Sequence, residues 1–110
     1  MQLTSLADAP DFDDAHVVAR AFLDAEQCNV RVIRLVPGQN LPPHTHGSSD
    51  LMLYVVDGTG RLDTPDGPTD FTAGTLAHLR GDEELRVSNT GTTGMTLLAF
   101  LAPPFPPTDT

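Results

Sequence analysis

Apolar, often β-branched runs of five to eight residues alternate with short glycine- and proline-bearing breaks along the whole chain. That rhythm predicts an all-β sandwich or barrel. Strands are expected near His16–Arg20, Asn29–Val36, Leu51–Val56, Gly60–Asp63, Thr75–Leu79, Leu85–Ser88 and Met95–Leu101. Asp57-Gly58 and Asp66-Gly67 supply residues that tolerate positive φ, as tight hairpins require, and Asn89-Thr90-Gly91 does the same before the last strand. Helix has little room. Asp8–Asp14 and Ala19–Gln27 have the composition for a turn, but Asp24-Ala25-Glu26-Gln27 is too short to sustain more than one.

The phase of each strand nominates the interior. Alternation groups Leu51, Leu53 and Val55 on one wall, with Leu85 and Val87 on another and Met52, Met95 and Phe100 nearby; ordinary core packing is the favoured account of them, a pocket lining the alternative. In Val30–Val36 the same rule sets Arg34 beside Val30, Val32 and Val36, so either Arg34 reaches the barrel interior or Arg31 and Arg34 flank a bulge. An inward arginine would prefer a carboxylate, because its planar fork suits bidentate pairing.

At 110 residues and 39% hydrophobic composition, the chain is read as one domain over 1–110, with an N-terminal arm of about residues 1–28. The proline-rich tail, 102–110, cannot sustain a regular ladder and is expected to lie extended as a strap over the barrel or on a neighbouring subunit. Fifteen acids against six arginines and no lysine give a net charge of −9, which argues against nucleic acid and anionic membrane as partners. Cys28 is the only cysteine, so no intrachain disulfide can form. No basic-then-apolar leader and no eighteen-residue apolar run occurs, and a soluble cytoplasmic protein is expected.

Chemistry concentrates in Gly38-Gln39-Asn40-Leu41-Pro42-Pro43-His44-Thr45-His46. On an extended chain residues i and i+2 share a face, so His44 and His46 point the same way. Two neutral imidazoles side by side are half of a divalent-metal site. By contrast, no glycine-rich phosphate loop opens a helix, and Ser48-Ser49 reads as a polar turn rather than the nucleophile of a Ser–His pair.

The order Gly38, five residues, His44-Thr45-His46, an apolar strand ending Tyr54-Val55-Val56-Asp57-Gly58, then Ala73-Gly74 and Asn89 resembles the cupin superfamily over roughly Val30–Phe100. The resemblance implies a double-stranded β-helix, or jelly-roll, barrel. It also implies metal held by two histidines, a glutamate and a later histidine. His44 and His46 match the family's first pair. Counting back from Gly58 puts the carboxylate position at Leu51, while counting forward from His46 fits Asp50; one residue reverses the face of a strand, and Leu51 is favoured. Counting back from Asn89 puts the later histidine at Leu85, next to Glu84. His78 is the remaining candidate ligand, inward or partly exposed, and His16 is read as a surface or interface residue.

Three functions follow. In the first, favoured by the intact Pro-Pro-His-Thr-His entry, the barrel binds a divalent metal (Fe, Zn, Mn or Ni) through His44 and His46, with Asp50 or His78 completing the set. The resemblance would then imply a dioxygenase, isomerase or lyase acting on a small organic substrate. In the second, the metal site has decayed, and the protein is a non-catalytic small-molecule-binding or sensory barrel whose pocket includes Arg34, Leu51, Leu53 and Leu85. A structural module whose pocket is merely core is a third. The resemblance further implies a homodimer, which would protect sheet edges.

Overall fold

Asp50–Asp57 has the cleanest alternation, and the structure, a computed structural model that describes residues 1–105, follows it: Leu51, Leu53 and Val55 are fully buried while Asp50 and Met52 face solvent. Among the described residues eight strands form: β1 (Val18–Asp24), β2 (Asn29–Leu35), β3 (Asp50–Asp57), β4 (Thr59–Thr64), β5 (Gly67–Thr72), β6 (Leu76–Leu79), β7 (Val87–Ser88) and β8 (Met95–Ala102). They pair antiparallel in two sheets, ordered β1-β2-β8-β3-β6 and β5-β4-β7. Their inner faces enclose one cluster that includes Leu35, Leu53, Phe71, Met95 and Leu97. This is the all-β jelly-roll barrel expected. Among the described residues no helix is long and apolar enough to cross a membrane.

Several local expectations are corrected. Ala19–Gln27 does not make a helical turn: most of it is β1, paired with β2 from Val18↔Arg34 to Asp24↔Asn29, with a bulge between Ala21 and Leu23. The ladder overrides weak helix propensity, and the chain leaves it in a turn closed by Ala25 N–H to the Cys28 carbonyl at 2.9 Å. The other short candidate, Asp8–Asp14, yields to a single 3-10 turn at Leu6–Asp8, capped by the Ser5 hydroxyl. β5 was not expected at all. It buries only Phe71 and carries Pro68 and Asp70, the composition of an edge strand without an apolar stripe.

A further correction concerns β2. Its inward face carries Asn29, Arg31, Ile33 and Leu35, and its outward face carries Val30, Val32 and Arg34. Arg34 therefore does not reach the interior. The N-terminal arm crosses the outer face, where Arg34 Nη1 donates to the Pro10 carbonyl at 2.8 Å and the guanidinium lies 5.1 Å from the centre of the Phe12 ring. Charge stays half-buried there because it is hydrogen-bonded and stacked.

After β8 the chain folds back over the barrel. Asn29 Nδ2 donates to the Phe105 carbonyl at 2.7 Å, the Phe105 amide donates to Asn29 Oδ1 at 3.3 Å, and Ser49 Oγ donates to the Pro103 carbonyl at 2.6 Å. Phe105 is thereby buried as part of the core. Of the proline-rich tail, 106–110 lies outside the described residues.

Candidate functional site

The two histidines are positioned by backbone before any side chain acts. Between β2 and β3 the chain runs extended against the segment that ends in β7: Leu41 N–H donates to the Val87 carbonyl at 2.9 Å, Leu85 N–H to the His44 carbonyl at 2.9 Å, and His46 N–H to the Gly81 carbonyl at 2.8 Å. Gly81 is required by contact. A Cβ there would collide with the carbonyl oxygens of Gly47 and Ser49, so the glycine lets the loop after β6 lie directly on the turn after His46.

His44 and His46 consequently face one space, with ring centroids 4.5 Å apart and planes tilted by 57°. That space is a cavity of about 530 Å³, walled by Arg31, Ile33, Leu51 and Leu85 beside the histidine pair, and closed on one side by Asp14–Arg20. Phe105 forms the backing of its polar end. Its ring centre lies 5.1 Å from the His46 ring and 5.1 Å from the guanidinium carbon of Arg31, whose Nη2 donates to the Phe105 carbonyl at 3.3 Å.

The electrostatics of this end are unusual for a protein of net charge −9. Arg31 and His46 are each only 4% exposed. Burial, then repulsion from His44 and from Arg31, pushes His46 down from 6.5 to about 4, so its imidazole is neutral at physiological pH. His46 Nδ1 is buried with no hydrogen-bond partner among the described residues. His44 Nδ1 lies 2.8 Å from the Pro42 carbonyl, which only accepts; a neutral His44 therefore carries its proton on Nδ1 and offers a lone pair from Nε2.

This donor set does not fit a divalent metal. The two positions that the family motif would fill with a carboxylate and a third histidine are Leu51 and Leu85, at 0% and 1% exposure, and both line the cavity with the histidine pair. A metal ion would have two imidazole ligands, two hydrocarbon walls and a buried guanidinium close by, whereas durable sites supply three or more protein donors. Among the described residues no group of three or more His, Cys, Asp or Glu is placed to hold one. Two imidazoles and an arginine within an apolar cup are instead hydrogen-bonding groups for an organic ligand.

The other candidates are dispersed. Asp50 and His78 do not join the pair: they lie on the outer face of the five-stranded sheet, hydrogen-bonded to each other at 3.0 Å and exposed. Leu53 is buried in the core on the same side of β3 as Leu51, but it does not line the cavity, and Arg34 is held by the arm. His16, read as a surface or interface residue, is exposed, pairs with Asp13 at 3.2 Å and stands at the cavity wall. Sequence reasoning passed over Arg31 as an interior residue. The signal available was Asn29 and Arg31 in phase with Ile33 and Leu35, a two-residue polar start to an otherwise apolar face.

Comparison with known proteins agrees with this architecture. The family model described as the cupin domain matches residues 31–101. No curated protein matches the chain significantly. Among solved structures, TT1209 from Thermus thermophilus superposes with a TM-score of 0.84 at 20% identity, covering 94% of this chain and 99% of that one. An RmlC-like cupin protein from Desulfovibrio desulfuricans gives 0.82 at 25% identity, covering 96% and 99%. A conserved protein with a double-stranded β-helix domain from Klebsiella pneumoniae gives 0.85 at 18% identity, covering 94% and 90%.

Proposed function

Because the chain belongs to the cupin domain family, matched over residues 31–101, we propose that it is a small-molecule-binding or sensory barrel, non-catalytic, in which the family's metal site has degenerated. The observation that carries this reading is the pairing of His44 and His46 with Leu51 and Leu85 across one cavity. The leucines supply no donor, and they turn the mouth of the barrel into an apolar cup with a few polar groups, the usual make-up of an organic ligand site. A second reading, a metal-dependent dioxygenase, isomerase or lyase, keeps one observation in its favour: the imidazoles remain 4.5 Å apart and face the same space.

Titrating the apoprotein with Zn(II), Mn(II), Ni(II) and, without oxygen, Fe(II) separates the two. The ligand-binding reading expects weak, non-stoichiometric binding little changed in the His44→Ala, His46→Ala double variant. Tight one-to-one binding that this variant abolishes would establish the second reading instead.

Two further parts of the proposal concern context. Met52, Phe100 and Leu76, respectively 50%, 41% and 69% exposed, stand on the outer face of β3, β8 and β6, with Met52 and Phe100 directly paired across the ladder. Such a face suits an isologous homodimer, in which each copy buries the other's patch. The exposed Cys28 suits a reducing compartment, and we place the protein in the cytoplasm.

A further inference from the structure

We infer that the cavity takes an uncharged hydroxyl compound, a phenol or other alcohol with an apolar body, whose oxygen bridges the rings of His44 and His46; this rests on the ligand-binding reading above and adds the chemical class of the ligand.

The charged groups around the cavity do not call for a charged ligand. Arg31 is engaged within the protein: its Nη2 donates to the Phe105 carbonyl at 3.3 Å, and its guanidinium carbon lies 5.1 Å from the centre of the Phe105 ring. It braces the stretch after β8. Asp14 and Arg20, on the side of the cavity closed by the arm, are exposed and of opposite sign. A ligand charge carried into the apolar cup would therefore lose its hydration without a dedicated partner.

Hydrogen-bond polarity narrows the class further. His44 Nδ1 donates to the Pro42 carbonyl, 2.8 Å away, which leaves Nε2 of the neutral ring as a lone pair. A ligand group that meets it must donate. Carboxylates, ketones and ethers have no hydrogen to offer there, whereas a hydroxyl donates through its hydrogen and still accepts through its oxygen.

His46 supplies the complement. It lines the cavity, is 4% exposed and neutral, and its Nδ1 has no hydrogen-bond partner among the described residues, so no bond at that atom dictates which ring nitrogen carries the proton. The ring can thus present an N–H to an incoming oxygen. With the two ring centres 4.5 Å apart, one oxygen atom reaches both imidazoles.

The rest of the space is hydrocarbon. Beyond the histidines the lining is Ile33, Leu51, Leu85, Ala99 and Leu101, and the volume of about 530 Å³ lies inside the range of small-molecule sites, roughly 300–1,000 Å³. An aromatic ring with a short alkyl group would displace water from this surface.

Titration calorimetry on the full chain with 4-ethylphenol, 4-ethylanisole and 4-ethylbenzoate tests the inference without any variant, because the three share a body and differ in the polar group. The phenol is expected to bind roughly fivefold to tenfold tighter than either of the others, the scale of one net hydrogen bond. His44→Phe, checked for folding by circular dichroism, should bring the phenol down to the level of the anisole and leave the anisole unchanged; a preference that survives in this variant overturns the role of His44. Equal binding of phenol and anisole overturns the hydroxyl assignment, and tighter binding of the benzoate overturns the uncharged class; both leave a ligand-binding barrel in place. Absence of binding by all three probes overturns the inference as well. Tight stoichiometric metal binding would remove the underlying reading, a result distinct from these.

Discussion

The Asp50 carboxylate meets the His78 imidazole at 3.0 Å on the outside of the barrel, on the side of β3 opposite to Leu51. The two residues best qualified by type to complete a metal site thus satisfy each other in solvent. Asp50→Asn and His78→Ala should leave cavity binding unchanged, and each should alter stability by no more than about 1 kcal/mol, the scale of an exposed pair. Denaturant unfolding and ligand titration of both variants provide the check. A loss of cavity binding in either would place these side chains at the site.

Restoring the missing donor is the converse experiment. Leu51→Glu puts a carboxylate on the inward face of β3 beside His44 and His46, and it should raise affinity for Zn(II) or Ni(II) about tenfold or more over the wild type. Adding Leu85→His should raise it further. Titration calorimetry reads the gain, and unchanged affinity in the folded double variant would mean that positions 51 and 85 do not address the histidine pair.

Stability should fall as pH drops through the range between His46's ordinary and lowered pKa. The folded protein holds this imidazole neutral down to about pH 4, whereas the unfolded chain takes up the proton near 6.5. Between those values the unfolded state binds more protons. The stabilisation is therefore complete above about pH 6.5 and is lost as pH falls towards 4, by up to about 3 kcal/mol. Subtracting the pH profile of His46→Gln from that of the wild type isolates this contribution from the carboxylates; parallel profiles would show that the group is not held neutral.

Asn29 ties β2 to the segment after β8 through both its amide oxygen and its amide nitrogen. Asn29→Ala should cost about 1–3 kcal/mol, because it unpairs the buried amide of Phe105 and leaves its carbonyl with only the longer bond from Arg31. It should also weaken ligand binding, since Phe105 backs both Arg31 and His46. Urea unfolding and the calorimetric titration measure the two effects, and a stable variant with full affinity would refute the strap's role.

A single charge in the exposed apolar face should separate the copies of the proposed dimer. Phe100→Glu or Met52→Glu should elute as a folded monomer where the wild type elutes at twice the chain mass in light-scattering chromatography. A monomeric wild type across the micromolar range would exclude this interface.

Most of the barrel was legible because glycine-marked turns and period-two strands report local geometry directly, and the motif around His44 and His46 set the frame for the rest. Counting identified Leu85 as one substituted ligand position; for the other it left Leu51 and Asp50, with Leu51 favoured, and the phase of β3 in the structure turns Leu51 inward and Asp50 outward. Arg31 escaped for a physical reason. β2 is covered inside by the core and outside by the arm through Pro10 and Phe12, so apolar residues occupy both faces and alternation loses its contrast. Nothing local to Arg34 reports that an arm twenty-four positions upstream will cap it. β5 escaped for the opposite reason, having a single buried residue and so almost no apolar signal.

The tie between Asn29 and Phe105 joins residues 76 positions apart. During synthesis β2 leaves the ribosome long before its partner segment exists, and Asn29 and Arg31 must stay hydrated until then. Assembly of the polar end of the cavity is therefore a late, post-barrel event, set by arrival of the stretch after β8 rather than by the hairpins.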